Sequence, residues 1–368
     1  MSALRIAVDA LIYSQQSAGI GHYVGELFTT YIKEFTQDEV FAVTNPDVTI
    51  LGATMLHPPR SLRTSRARLS YEQTMLRRLL RQTRYDVIHF PDYQLPIFGS
   101  LPRAVITVHD LTAFRVPETF PPRMGQVKRY LMARSVRHAS HIVVPSRATR
   151  DDLVDILKVD PQRISVIYHG VARKARYEGP SPRNRPYFLA VGTLEPRKNL
   201  VRLIHGFSLL KHDRGDGCPD LVIAGKPGWM YQPIYQAPRV YGVVNAVEFL
   251  NYVDEERLLQ LYSHAKALCY PSLYEGFGLP MFEAMMVKTP VVASSRGSLK
   301  EIGEGVALEV DPLDPVSIAE GLANVLDHPE EATERIHRGL ERIREFTWEA
   351  AARATREVYL RVETERRG

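Results

Sequence analysis

Two α/β domains, each built on a parallel sheet, are predicted by three features of the 368-residue sequence. The length exceeds the span over which a single hydrophobic core usually grows. Short β-branched runs bounded by Asp, Gly or Pro recur about every thirty to forty residues, the spacing of strands that alternate with helices. A break at Ala175–Pro186, where Pro180, Pro182 and Pro186 interrupt any periodic pattern, splits these runs into two series.

The first series is Arg5–Ala10, Val40–Val43, Asp86–Phe90, Ala104–His109, His141–Pro145 and Ile164–Tyr168. The second is Tyr187–Gly192, Asp220–Gly225, Ala246–Leu250, Ala267–Tyr270, Pro290–Ala293 and Val306–Val310. Runs this apolar belong to sheets covered on both faces. The expected layout is therefore a domain over 1–175, a linker over 176–186, a second domain over 187–346 and a terminal helix in 347–368. Thr347 is a good N-cap for that helix, and Trp348, Ala351, Ala352, Val358, Tyr359 and Val362 give it an apolar face suited to packing back on the first domain. Parallel sheets bind ligands at the carboxyl ends of their strands, which puts the site in a cleft between two facing domains.

Composition narrows the class. Hydrophobic residues at 45% and charged residues at 24% are ordinary for a globular protein. Cys218 and Cys269 lack metal-ligand spacing and form no disulfide framework, which suits a reducing cytoplasm. Met1 to Arg5 lead straight into a strand, with no apolar signal region, and no apolar run approaches the ~18 residues of a membrane span. Charge is uneven: residues 1–174 hold 23 Lys and Arg against 15 Asp and Glu, or +8, whereas residues 175–368 hold 24 against 27, or −3. A basic half can meet nucleic acid, anionic lipid or a phosphorylated small molecule.

The most informative stretch follows Ala267–Tyr270: Ser272-Leu-Tyr-Glu275-Gly-Phe-Gly-Leu-Pro280-Met-Phe-Glu283. Gly276 and Gly278 permit close backbone approach, and Pro280 suits the first helical position. Amides near Gly278 and Leu279 then sit at a helix N-terminus, where anions bind. By spacing alone the glycines could simply make a turn and Glu283 could be solvated. Glu283 nevertheless leads into an apolar run, Ala284 to Val287, that must pack on the sheet.

A second element, Gly192-Thr-Leu-Glu195-Pro-Arg197-Lys198-Asn199, joins the first strand of domain two to a helix with apolar Leu200, Leu203, Ile204, Phe207 and Leu210. Asn199 is expected to cap that helix, leaving Arg197 and Lys198 at a carboxyl strand end. In isolation this is equally an exposed basic turn; facing an amide-rich loop, it suits a diphosphate.

Together, Glu-x7-Glu at 275–283 and the 192–199 element resemble the retaining glycosyltransferase family 4. The resemblance spans nearly the whole chain and includes Gly19-Ile-Gly21, Val108-His109-Asp110-Leu111, Val144-Pro145-Ser146 and Gly225-Lys-Pro-Gly228-Trp229. It implies the GT-B fold, two Rossmann-like parallel-sheet domains facing across a cleft. It also implies retaining transfer of a hexose from a nucleotide-diphosphate sugar to a glycan, lipid-linked or small-molecule acceptor. By resemblance Glu275 and His109 lie near the donor sugar as catalytic candidates, and Glu283 binds ribose hydroxyls. Arg197 and Lys198 hold the pyrophosphate beside the Gly276–Leu279 loop. Many members carry Arg directly after the strand-end glycine where this chain has Thr193, so one phosphate contact is missing or supplied otherwise. Without the family, a strand-end histidine such as His109 is more often structural, with Asp110 suited to orienting it. Leu-Glu-Pro-Arg-Lys-Asn points to mannosyltransferase-like members of polysaccharide assembly and to GDP-mannose, with UDP-glucose and UDP-N-acetylglucosamine also open.

Gly19 and Gly21 give a weak dinucleotide signal as well, but Asp47, beyond Pro46, is poorly placed for a ribose. In a glycosyltransferase the same glycines let acceptor and donor approach closely. No Asp-x-Asp occurs in the sequence, so neither metal nor other cofactor is expected, and Arg197, Lys198 and helix-end amides must meet the leaving-group charge. A covalent intermediate on Glu275 and front-face attack both remain open, as do a nucleotide-sugar epimerase and a non-catalytic binder. Nucleic acid is disfavoured, because the basic stretch 60–84 offers only Tyr71 for stacking. That stretch, with Arg60, Arg63, Arg66, Arg68, Arg77, Arg78, Arg81 and Arg84 and an apolar stripe of Met75, Leu76, Leu79 and Leu80, reads as an amphipathic helix. Such a helix either docks on an anionic membrane, making the protein peripheral at the inner membrane face, or packs on the core with a solvated Arg face.

Overall fold

In the computed structural model the described residues are 3–14, 19–62, 64–81, 83–97, 101–172 and 174–364. Among them the apolar runs form two sheets whose strand pairs are all parallel. The first sheet holds β1 (Arg5–Asp9), β2 (Glu39–Val43), β3 (Thr54–Leu56), β4 (Val87–Phe90), β5 (Ala104–Thr107), β6 (His141–Val144) and β7 (Ile164–Val166), in the order β3-β2-β1-β4-β5-β6-β7. The second holds β8 (Tyr187–Val191), β9 (Asp220–Ala224), β10 (Val247–Asn251), β11 (Leu268–Tyr270), β12 (Val291–Ser294) and β13 (Leu308–Val310), in the order β10-β9-β8-β11-β12-β13. All twelve predicted strands are present. The unpredicted β3 is a three-residue edge strand, too short and too open to leave a periodic trace. Several predicted strands stop one or two residues early at their carboxyl ends, where the chain leaves the sheet to build the loops that matter below.

The chain divides into two units. The first comprises the chain up to Leu111, Gln126–Gly170 and the segment from Phe346 onward; the second comprises Thr112–Gly125 and Val171–Glu345. Within the first unit the terminal helix, Trp348–Thr364, packs on the Ile20–Glu34 helix. Thr347 Oγ1 accepts from the Ala350 amide at 3.1 Å, and all six residues of the expected apolar face are buried in that unit's core with Tyr23, Leu27, Phe28 and Tyr31. A Tyr-sized side chain buried this way contributes roughly 1.5–3 kcal/mol. In the second unit the Leu200–Arg214 helix buries Leu200, Leu203, Ile204, Phe207 and Leu210 against β8 and β9. The Pro-rich stretch has no regular element and is fastened to the second unit: Arg176 Nη2 donates to the Ser263 carbonyl at 2.6 Å, and the Tyr177 amide to Ser263 Oγ at 3.0 Å. Thr112–Gly125 joins the same unit through Trp229, whose Nε1 donates to the Thr119 carbonyl at 2.6 Å while its ring stacks on Phe120.

The basic stretch corrects the expectation of one amphipathic helix. It forms two pieces, Ser65–Thr74 and Leu76–Leu80, broken at Met75. Leu76 and Leu80 are buried in the first unit's interior while Met75 is exposed, so the apolar stripe does not form one outward face. Arg63 and the side chain of Arg66 lie outside the described residues. Among the described residues no helix is long and apolar enough to cross a membrane.

Candidate active site

In each sheet the strand order reverses once, at β1/β4 and at β8/β11, and a doubly wound sheet opens a crevice at such a point. Both sequence motifs of the second unit fall there: 192–199 leaves β8, and 271–283 leaves β11.

After β8 the chain turns at Gly192, whose φ of +138° few side chains tolerate. A Cβ there would stand 3.0 Å from Lys198 Cε, so glycine makes room for the lysine stem. A 3-10 turn over Pro196–Lys198 then aims both cations at the β11 loop. Arg197 donates from Nε and Nη2 to Glu195 Oε1 at 2.9 and 2.7 Å, and from Nη1 to the Tyr274 carbonyl at 3.1 Å and to Glu275 Oε2. Lys198 Nζ donates to Glu275 Oε1 at 2.6 Å and to the Tyr270 hydroxyl at 2.8 Å. Ser298 Oγ holds the Glu275 carbonyl at 2.7 Å. Burial alone would push the Glu275 carboxyl up, but Arg197 and Lys198 outweigh it and hold the group at about 2. The same burial depresses the Lys198 ammonium, with Glu275 opposing.

Asn199 occupies the position before the helix, as expected, but does not cap it with its side chain. Its backbone is left-handed at φ +59°, and Nδ2 instead donates to the Pro271 and Pro312 carbonyls at 3.0 and 2.6 Å. It ties the β8 loop to the β11 and β13 loops, since buried carbonyls need donors more than the helix start needs an acceptor.

Gly278, at φ +107°, precedes the Leu279–Met286 helix, with Leu279 rather than Pro280 in the first position. A Cβ at Gly278 would meet Leu299 at 2.6 Å. Phe277 is buried and stacks on Phe282, which sets the loop that carries the Gly276, Phe277, Gly278 and Leu279 amides. Glu283 is half-buried on this helix and accepts from the Tyr262 hydroxyl at 2.9 Å. Both motif carboxylates, Glu275 before Glu283, add to burial in pushing the Tyr270 phenol up, so the tyrosine lies within the field of both. Glu195, Tyr262 and Tyr270 were not singled out from the sequence. Glu195 stood inside the motif, but nothing in the spacing shows that it neutralises its neighbour.

The remaining candidates belong to the first unit. Gly19, at φ +60°, opens the Ile20–Glu34 helix, whereas Gly21 is buried inside its first turn instead of in a loop. His109 lies two residues beyond β5, half-buried, with Nε2 2.7 Å from the Pro91 carbonyl. A carbonyl only accepts, so the proton sits on Nε2. Burial, opposed by Asp92, Pro91 and Asp110, lowers the basicity of the ring, leaving Nδ1 an acceptor. Around the carboxyl end of β1 a cavity of about 280 Å³ is lined by residues including Ser14, Asn45, Ser61, Thr64 and Arg68. Beside it Asp9, Glu72 and Asp92 gather round Arg68, whose Nε is 3.2 Å from Glu72.

This architecture, two parallel-sheet units with a cation and carboxylate cluster at a switch point, defines the GT-B class. Over 98% of its length the chain matches a solved structure, sucrose-phosphate synthase from Thermosynechococcus elongatus, with a TM-score of 0.78 at 20% identity, covering 100% of that chain. Residues 172–342 match the family described as glycosyl transferases group 1, and residues 19–174 match glycosyltransferase family 4. O-antigen chain mannosyltransferase B of Escherichia coli is 30% identical over 292 residues, 76% of this chain and 75% of that one. O-antigen chain mannosyltransferase RfbU of Salmonella typhimurium is 33% identical over 61% of each chain. The chain belongs to glycosyltransferase family 4 and is a glycosyltransferase.

Proposed function

We propose that the chain transfers mannose from GDP-mannose to a glycan acceptor with retention of configuration and without a metal ion. The Arg197–Lys198–Glu275 cluster at the β8/β11 switch point, beside the Leu279–Met286 helix start, carries this reading. A donor diphosphate competes with Glu275 for the two cations. Binding exchanges a carboxylate partner for phosphate oxygens and turns Glu275 toward sugar hydroxyls. Glu283, positioned by Tyr262, accepts from the ribose, and His109 Nδ1 accepts from a donor-sugar hydroxyl. A carboxyl held at about 2 is a weak nucleophile, which favours front-face attack, with the departing phosphate taking the acceptor proton, over a glycosyl-enzyme on Glu275. Arg197 and Lys198 supply the charge that a metal supplies elsewhere.

The relatives' names motivate mannose and a polysaccharide acceptor. The cavity at β1 is lined by hydroxyl and amide groups with Asp47 and with Arg68, whose charge Glu72 already meets, and this favours an uncharged glycan over a phosphorylated acceptor at that position. Exposed Arg78, Arg81 and Arg84 add a weaker membrane component, each contributing about 1 kcal/mol near an anionic surface. Because Leu76 and Leu80 are buried, contact there is electrostatic and should vanish at high salt.

Incubation of GDP-mannose with a mannose-terminated oligosaccharide in excess EDTA tests the reading. Expected is an extended glycan whose new anomeric centre keeps the donor configuration. Isomerised sugar nucleotide formed without acceptor would instead identify an epimerase, and turnover restored only by Mg²⁺ or Mn²⁺ would overturn the metal-free mechanism.

A further inference from the structure

A buried hydrogen-bond chain crosses the first unit beneath His109. Tyr359, on the terminal helix, places its hydroxyl 2.6 Å from His89 Nδ1 on β4. His89 Nε2 lies 2.8 Å from Thr107 Oγ1 on β5, and Thr107 Oγ1 lies 3.1 Å from the Tyr23 hydroxyl on the Ile20–Glu34 helix. All four side chains are buried, so each bond is made away from competing water. Tyr23 then sets its ring edge-on to His109, 4.9 Å between centroids at 84°, and lies 4.7 Å from His169 on its other contact. His169 in turn stacks on Trp348 at the start of the terminal helix.

Burial holds His89 neutral, with a pKa of about 3, so one ring nitrogen donates and the other accepts. The Tyr359 hydroxyl can donate to Nδ1 while Nε2–H donates to Thr107, or the chain can run in reverse; in either direction loss of one hydroxyl breaks it. The Tyr23 ring is thereby anchored at its hydroxyl, and a ring anchored there limits the rotation of His109. The Pro91 carbonyl holds His109 Nε2 from another element. His109 is thus fixed by a direct bond that sets its tautomer and by two packed rings, His169 at 5.4 Å and Tyr23, whose own position is set from the terminal helix.

We propose that Tyr23, Thr107, His89 and Tyr359 are positioning residues for His109, and that the terminal helix serves the donor-sugar contact through them. The inference rests on the proposed role of His109 at the donor sugar. Loss of alignment at a group that meets the reacting sugar slows the chemical step far more than it weakens ground-state binding of a nucleotide held elsewhere.

The test uses the full chain with Tyr23→Phe, Thr107→Val and Tyr359→Phe, each keeping volume, plus Thr107→Ser as the variant that retains the hydroxyl. With GDP-mannose as donor, kcat should fall about tenfold in the first three. KM for GDP-mannose should stay within about twofold, and Thr107→Ser should recover most of the rate. Combining Thr107→Val with Tyr359→Phe should cost no more than either alone, because one chain is broken once. A substrate-independent readout is the exchange of the His109 Nε2–H, followed by nitrogen-edited NMR of the labelled imidazole, which should quicken in the three hydroxyl-deleted variants. Wild-type kcat and unchanged imidazole exchange in those variants, with His109→Ala inactive, would overturn the positioning chain alone. Full activity of His109→Ala would instead remove His109 from the sugar contact, while the exchange measurement still decides whether the chain holds the ring.

Discussion

The two switch points answer the same physical problem in opposite ways. At β8/β11 Glu275 is buried with Arg197 and Lys198 against it, and its carboxyl is held at about 2. At β1/β4 Glu72 and Asp9 are buried to a similar degree, but three carboxylates share Arg68. Burial first, then repulsion from Asp9, pushes Glu72 to about 8, while burial raises Asp9 to about 6 against the Leu11 amide and Arg68, with Asp92 adding to the rise. Burial does not set the sign; the local count of cations does. A cluster rich in cations is prepared to receive anionic phosphate, whereas one rich in carboxylates favours neutral hydroxyl-bearing ligands and repels phosphate.

The largest expected effect comes from removing a cation at β8/β11. Lys198→Ala should weaken GDP-mannose binding ten- to a hundredfold in titration calorimetry, about 1.5–3 kcal/mol for a charged hydrogen bond. Unchanged affinity would take Lys198 out of the donor site. The pH dependence of stability separates the clusters next. Glu72 binds its proton more tightly folded than unfolded, so its stabilising contribution is complete below about pH 4.5 and is lost as pH rises toward 8. Glu275 behaves oppositely: its contribution is present above about 4.5 and is lost as pH falls toward 2. Glu72→Gln should therefore raise the melting temperature by a few degrees at pH 8, with the gain shrinking toward pH 5. A gain that is equal at both pH values would mean that neither burial nor its neighbours raise the proton affinity of Glu72 in the folded chain. The smallest effect is expected at Glu283. Glu283→Gln keeps volume and one acceptor, so nucleotide affinity should fall only about fivefold, near 1 kcal/mol, with the melting temperature almost unchanged. Earlier melting with normal binding would show that Glu283 serves only to anchor its helix to Tyr262.

How much of this was legible depends on whether a signal is local in sequence. The parallel strands, the terminal helix and its six buried residues follow from periodicity, which one segment carries by itself. The two motifs of the second unit are visible as glycine and carboxylate spacing within single loops, and the donor roles proposed for them come from the family resemblance. Glu195 and Tyr270 escaped notice because their roles exist only when the β8 and β11 loops meet. The split at Met75 escaped because Leu76 and Leu80, four residues apart and both buried, keep helical spacing beyond it, so the break shows only in the backbone. Asn199 was correctly placed but wrongly employed: a sequence shows the vacancy at a helix start, and only the fold shows two carbonyls that outbid it.

The first unit is completed by a segment that follows the second unit in the chain, and this has a consequence during synthesis. About 175 residues separate Gly170 from Phe346. At ribosomal speed these take about 10–35 s to make. Throughout that interval the core of the first unit lacks Trp348, Tyr359 and Val362, which leaves Phe28 and Tyr31 uncovered, and the second unit gains the last strand of its own sheet only when Val310 is made. The second unit therefore has its whole sheet before the first unit has its terminal helix. The nascent first half presents a sticky helix to any chaperone or neighbouring chain until the Trp348–Thr364 helix has emerged.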